Sequence, residues 1–371
     1  MRKLFLIFAS LLLCISLYGQ RTHGLELKLY GGRVIPHRAG MDALAQPTLS
    51  GELNYYFSTR TDNFYDVKYR FPKHGFGLNY NYIFNHRVLG SAVAAYSFMD
   101  FSFFDKQWFG MGLRVNAGLA YLTHRYDEVA NPENIAVSTA LCFYFNLGVN
   151  VVFNLPSGFG LRISPGFLHY SNGSVRKPNL GLNDVFVSLA LSKDIKTSDY
   201  NRNRIDYQEN LSSHEAWIMG TCATSDEFSS GYNGRGGGFL CSTLAAGYCY
   251  QYGKIGKVGL SFDMLYDENM KYGYDEVTDE LVERYDRFAD VMRLGVCVGH
   301  QLVYHRFELV TYVGTYIYNK VKKGDWVYTR IGGRYYFTNF MFVNLTLKAK
   351  GFKAQYIECG LGFSCRKWKK G

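Results

Sequence analysis

In the stretch QWFGMGLRVNAGLAYL, Phe109, Met111, Leu113, Val115, Ala117 and Leu119 alternate with Gly110, Gly112, Arg114, Asn116 and Gly118. A period of two is that of a β-strand whose faces meet different surroundings. SGELNYYF repeats it, with Leu53, Tyr55 and Phe57 set against Glu52, Asn54 and Ser58. So does VNLTLKA, with Val343, Leu345 and Leu347 set against Asn344, Thr346 and Lys348. In YIECGLGFSCR, Ile357, Cys359, Leu361 and Phe363 alternate with Glu358, Gly360, Gly362 and Ser364. A soluble sandwich with Arg, Glu, Asn and Lys on its inner faces would bury charge without partners. A barrel wall with lipid outside and a polar interior accommodates the same pattern.

The fold class that follows is all-β, a transmembrane antiparallel outer-membrane β-barrel. The opening MRKLFLIFASLLLCISLYGQ has two basic residues, an apolar run and then a small residue, which reads as a signal peptide over residues 1–19. Beyond it no apolar run reaches the length a membrane helix needs. The content of 31 Tyr, 28 Phe and 39 Gly with only 7 Pro also suits a barrel. At about ten residues per strand plus turns, residues 20–371 hold about 12 to 16 strands. Polar stretches such as THRYDEVANPEN, TSDEFSSGYNGRG and DENMKYGYDEVTDELVERYDR read as loops, the last with room for one short helix. The polar segment from Asp194 to Ser213 divides the chain, so two successive smaller barrels are the alternative to one wide barrel.

The charge of +10 allows an acidic partner, and for an exported protein a phosphorylated lipid is more accessible than nucleic acid. Cys142, Cys222, Cys241, Cys249, Cys297, Cys359 and Cys365 are odd in number and lack CxxC spacing. They read as small strand residues, with neither a metal site nor a disulfide framework.

One stretch departs from the wall pattern. In GFGLRISPGFLHYSNGSVRKPNLGLNDVFVSLALS, Phe159, Leu161, Ile163, Pro165 and Phe167 share a lipid-type face with His169 and Ser171. The next strand places Val185, Val187, Leu189 and Leu191 on the equivalent face, with Asn183 at its start. If NGSVRKPNLGL closes an antiparallel hairpin, Asn183 lands beside Ser171 and diagonal to His169. A serine hydroxyl needs a neutral imidazole to take its proton and a third group to hold the ring. Asn172, Gly173 and Asn179 are available as oxyanion donors in the adjoining loop. Spacing alone favours polar residues at a strand tip above the hydrocarbon, as for His124, His300 and His305, because a His-x-Ser pair is too short to be specific.

The pattern HYSN from His169 to Asn172, then Pro178, Asn179 and Gly181, resembles the outer-membrane lipid A 3-O-deacylases and the related bacterial acyloxyacyl hydrolases. The resemblance covers residues 45–195, including HGFGLNYNYIFNHRVLGS, and the second half resembles only a generic barrel. It implies an eight-stranded barrel acting without metal or cofactor on lipid A, with an outward-facing nucleophile at Ser171 and its base at His169. It also implies an oxyanion donor at Asn179. Where members of the family carry a Glu as the third member of the triad, this chain has Asn183. An amide can orient the imidazole but supplies no charge to the imidazolium. Arg176 and Lys177 are placed to meet a lipid A phosphate, or are solvated loop cations. The expected activity is that of a serine esterase removing an ester-linked acyl chain. A non-catalytic barrel, either channel or structural protein, is the alternative.

Overall fold

The computed structural model describes residues 21–59, 64–196, 212–226, 238–253, 255–275, 277–278, 280–321, 326–351 and 353–369. The expected leader and most of the segment from Asp194 to Ser213 lie outside the described residues. Eight strands close the first barrel in chain order: β1 (Arg21–Val34), β2 (Pro47–Thr59), β3 (Lys73–Ile83), β4 (Ser91–Asp105), β5 (Phe109–Leu122), β6 (Leu141–Asn154), β7 (Phe159–Ser171) and β8 (Leu182–Lys196). Closure comes from β1 pairing antiparallel with β8, with Leu27 opposite Leu191.

The second barrel consists of β9 (Ser212–Ser225), β10 (Phe239–Tyr252), β11 (Gly256–Asp267), β14 (Met292–Tyr304), β15 (Phe307–Asn319), β16 (Val327–Tyr336), β17 (Met341–Lys350) and β18 (Lys353–Lys369). Here β18 returns to β9, with Leu361 opposite Gly220. The sixteen wall strands of the described residues are thus shared equally between two closed barrels. This is the two-barrel arrangement, and the division falls in the polar segment between β8 and β9. The stretch from Asp267 to Arg287, read as a loop with one helix, holds a 3-10 turn over Glu268–Lys271, a small hairpin of β12 (Tyr272–Asp275) with β13 (Glu280–Glu283), and a helical turn at Phe288–Val291 just beyond. By their contacts, the segments His124–Cys142 and Tyr170–Leu182 group in one compact unit with the second barrel.

Alternation decides which side chains go where. On β1, Leu25, Leu27 and Leu29 are exposed, whereas Glu26, Lys28 and Tyr30 are buried. Exposed leucines on strand after strand are expected of a wall solvated by lipid.

Charges on the inner face are paired. In the first barrel, Arg114 donates to Glu26 at 3.2 Å and to Asp100 at 2.9 Å. Arg162 pairs with the same two carboxylates at 3.2 and 2.7 Å, and Lys28 pairs with Glu52 at 3.2 Å. Gly77 is needed beside this network, because a Cβ there would lie 2.1 Å from Asn54 Oδ1 and 2.5 Å from the Tyr96 ring. Its absence lets the Tyr96 hydroxyl reach Asn54 Oδ1 at 2.8 Å.

The second interior follows the same rule with different residues. Arg330 pairs with Asp263 at 2.9 Å and with Glu358 at 2.5 Å. Lys257 pairs with Glu308 at 2.6 Å and also with Glu215. Beside them Trp217, Tyr312, Tyr328 and Phe342 form an apolar cluster. Eight strands enclose a space that side chains can fill, and both interiors are filled.

These ion pairs generate a stability prediction. Arg114→Ala leaves Glu26 and Asp100 buried beside one guanidinium instead of two, and is expected to cost about 3 to 5 kcal/mol. Urea unfolding of the refolded protein in detergent measures this. A midpoint equal to that of the unmodified protein would show that the network contributes no stability.

Candidate active site on the outer wall

Strand β7 carries its apolar residues outward, and Leu168 and Tyr170 are fully buried on its inner side. His169 and Ser171 therefore belong to the outer series begun by Phe159, at the end where the strand passes into its loop. Ser171 is only 9% exposed, because the chain beyond it folds back over the hydroxyl. The fold-back requires positive φ at Gly173, at 66°, and at Ser174, at 68°.

That turn aims two donors at one oxygen. The Gly173 N–H donates to Ser171 Oγ at 3.1 Å, and Asn179 Nδ2 donates to it at 3.0 Å. Asn179 is held in turn, since its Oδ1 accepts from the Asn172 N–H at 3.1 Å. A serine hydroxyl has two acceptor positions and one proton. Both acceptor positions of Ser171 are occupied, so the O–H remains the group it has to give.

Asn183 lies at the start of β8 and its side chain meets His169. Nδ1 of His169 donates to Asn183 Oδ1 at 2.5 Å. This bond puts the ring proton on Nδ1 and leaves the lone pair on Nε2. The Phe167 ring stacks near His169, with centroids 6.4 Å apart and planes 10° apart. The Asn183 carbonyl is tied to β1's end by a bond from the Ile35 N–H at 2.9 Å.

Among the three loop residues considered as oxyanion donors, Gly173 and Asn179 converge on Ser171. The Asn172 side chain is turned elsewhere, with its Nδ2 donating to Ser138 Oγ at 3.1 Å and to the Arg176 carbonyl at 2.8 Å. Arg176 has an exposed side chain, and its carbonyl also accepts from Ser138 Oγ at 2.7 Å. Lys177 is half-buried, and its N–H donates to Asp226 Oδ2 at 3.2 Å. Ser138 and Asp226 were not visible from sequence spacing, because they lie 34 and 49 residues from the groups they hold. Among the described residues no cluster of His, Cys, Asp or Glu could hold a metal ion.

Residues 50–192 match the family described as lipid A 3-O-deacylase (PagL). Residues 212–368 match the family described as acyloxyacyl hydrolase, C-terminal domain, so the second half has a family assignment of its own. No curated protein matches the chain. Among solved structures, the outer-membrane enzyme PagL is similar at 13% identity, over 44% of this chain and 97% of that one, with a TM-score of 0.33. A triple mutant of the Rhodopseudomonas blastica porin covers 93% of this chain and 100% of that one at 10% identity, with a TM-score of 0.18. The two family matches, one to each barrel, carry the assignment: the chain is an outer-membrane β-barrel protein that belongs to the family of PagL-type lipid A deacylases and acyloxyacyl hydrolases.

Proposed function

We propose that the protein is a serine esterase that cleaves an ester-linked acyl chain from lipid A at the outer surface of its barrel wall, with Ser171 as nucleophile and His169 as general base. The observation that carries this reading is the bond from His169 Nδ1 to Asn183, which leaves Nε2 as the basic nitrogen. His169 and Ser171 are two residues apart on one strand and share a face. The face is the one that meets lipid, so the acyl chain need not leave the bilayer to reach the serine.

In the first step Nε2 removes the Ser171 proton as Oγ attacks the ester carbonyl carbon. The carbonyl oxygen becomes an oxyanion next to Oγ, within the region already served by the Gly173 N–H and Asn179 Nδ2. Collapse expels the sugar alkoxide, which takes the proton from His169, and leaves the acyl group on Ser171. Water then attacks this acyl-enzyme with His169 again as base, which frees the fatty acid and restores the serine. The exposed Arg176 suits a lipid A phosphate at the membrane surface. The filled interiors of both barrels speak against the channel reading, since conduction needs a water-filled lumen.

Ser171→Ala is expected to lower turnover of lipid A by at least about a thousandfold, because only the oxyanion donors and binding remain. His169→Ala should do comparable damage. Equal rates for Ser171→Ala and the unmodified protein would rule out this nucleophile.

Asn183 orients the ring but brings no negative charge to the imidazolium. Asn183→Ala should therefore reduce turnover without abolishing it, and Asn183→Glu should match or exceed the unmodified protein at neutral pH. Both rates are measured on a defined lipid A at equal folded fraction. Unchanged turnover in the alanine variant would show that Asn183 orients nothing.

A further inference from the structure

We propose that Asp226 is a positioning residue that clamps the loop carrying Gly173 and Asn179, so that the second barrel's strand ends set the donors around Ser171. The proposal rests on the catalytic reading above.

Asp226 directly follows the last residue of β9 and is fully buried. Its N–H donates to the Ser174 carbonyl at 2.8 Å, and its Oδ2 accepts from the Lys177 N–H at 3.2 Å. One residue thus grips the loop at two points. Both points lie between Gly173 and Asn179, the two residues whose N–H groups meet Ser171 Oγ. A buried carboxylate is costly unless hydrogen-bonded, and backbone N–H groups are strong partners for it.

Strand β18 adds a second hold. Ser174 Oγ donates to the Ala354 carbonyl at 3.1 Å, and Ser225 Oγ donates to the neighbouring Gln355 carbonyl at 2.8 Å. The loop also approaches closely, since a Cβ on Gly173 would lie 2.4 Å from Ile357 Cδ1. The start of β18 and the end of β9 therefore form a seat for Gly173–Lys177 within their compact unit. Both of these bonds go to loop backbone, and through that backbone Asp226 acts on the oxyanion donors.

Donors of this kind act on the transition state, so loosening them lowers kcat and leaves KM alone. The test uses the full-length protein in lipid A-containing vesicles, with the folding of both barrels checked by heat-modifiable gel mobility. Asp226→Ala is expected to lower kcat by about a hundredfold, the order expected for an ångström-scale displacement, with KM unchanged. Asp226→Asn keeps a carbonyl acceptor for the Lys177 N–H and is expected to retain most of the rate. An Asp226→Ala protein that is folded and turns over at the unmodified rate overturns the proposal, and so does a loss confined to KM. Should the alanine variant fail to fold, Ser174→Ala removes the tie to Ala354 alone and should lower kcat by a smaller factor. An unmodified kcat in that variant overturns the proposal. Lipid A cleavage that is lost in Ser171→Ala but untouched by these substitutions overturns the clamp and leaves the catalytic reading standing. An unmodified protein that cleaves no lipid A overturns both.

Discussion

Within the hydrocarbon of a bilayer there is no water to satisfy a peptide group, and each unpaired N–H or C=O costs several kcal/mol. A sheet can meet this condition only by closing on itself. The chain closes twice, once where β1 meets β8 and once where β9 meets β18. Closure removes both edges and fixes an inside and an outside for every strand, and the two-residue period then assigns each side chain to one of them. The paired arginines inside and the exposed leucines outside follow from that assignment.

The same constraint explains why a polar pair on the outer face matters. Most of the outer series is apolar, as with Val185, Val187, Leu189 and Leu191 on β8. His169, Ser171 and Asn183 sit at the strand ends around the β7–β8 loop, where the wall gives way to irregular backbone. On the proposed reading, an acyl-cleaving site at that level meets its ester where the polar head of the lipid joins its chains. The rest of the outer wall can then remain a lipid-facing surface.

How far the site could be read ahead depends on how local each contact is. The faces of β5, β7 and β8 were legible because alternation survives in the sequence whatever the strands pair with. The approach of Asn183 to His169 was legible too, since a hairpin places residues on either side of its loop together. Which donors serve Ser171 was not legible, because Asn172, Gly173 and Asn179 are chemically plausible alike. The choice is made by the positive φ of Gly173 and Ser174, and by Ser138, which draws the Asn172 side chain away. Asp226 fell in a stretch that reads only as a polar loop, and nothing local signals its bond to Lys177. Closure into two barrels, not one, was likewise a question of which distant strands pair, and alternation is silent on that.

The most direct measurement is mass spectrometry of lipid A after incubation with the purified full-length protein in vesicles of outer-membrane lipid. Loss of the mass of one ester-linked acyl chain, with the matching free fatty acid, is expected from the unmodified protein and not from Ser171→Ala. An unchanged lipid A spectrum with both barrels folded would contradict an esterase on the outer wall.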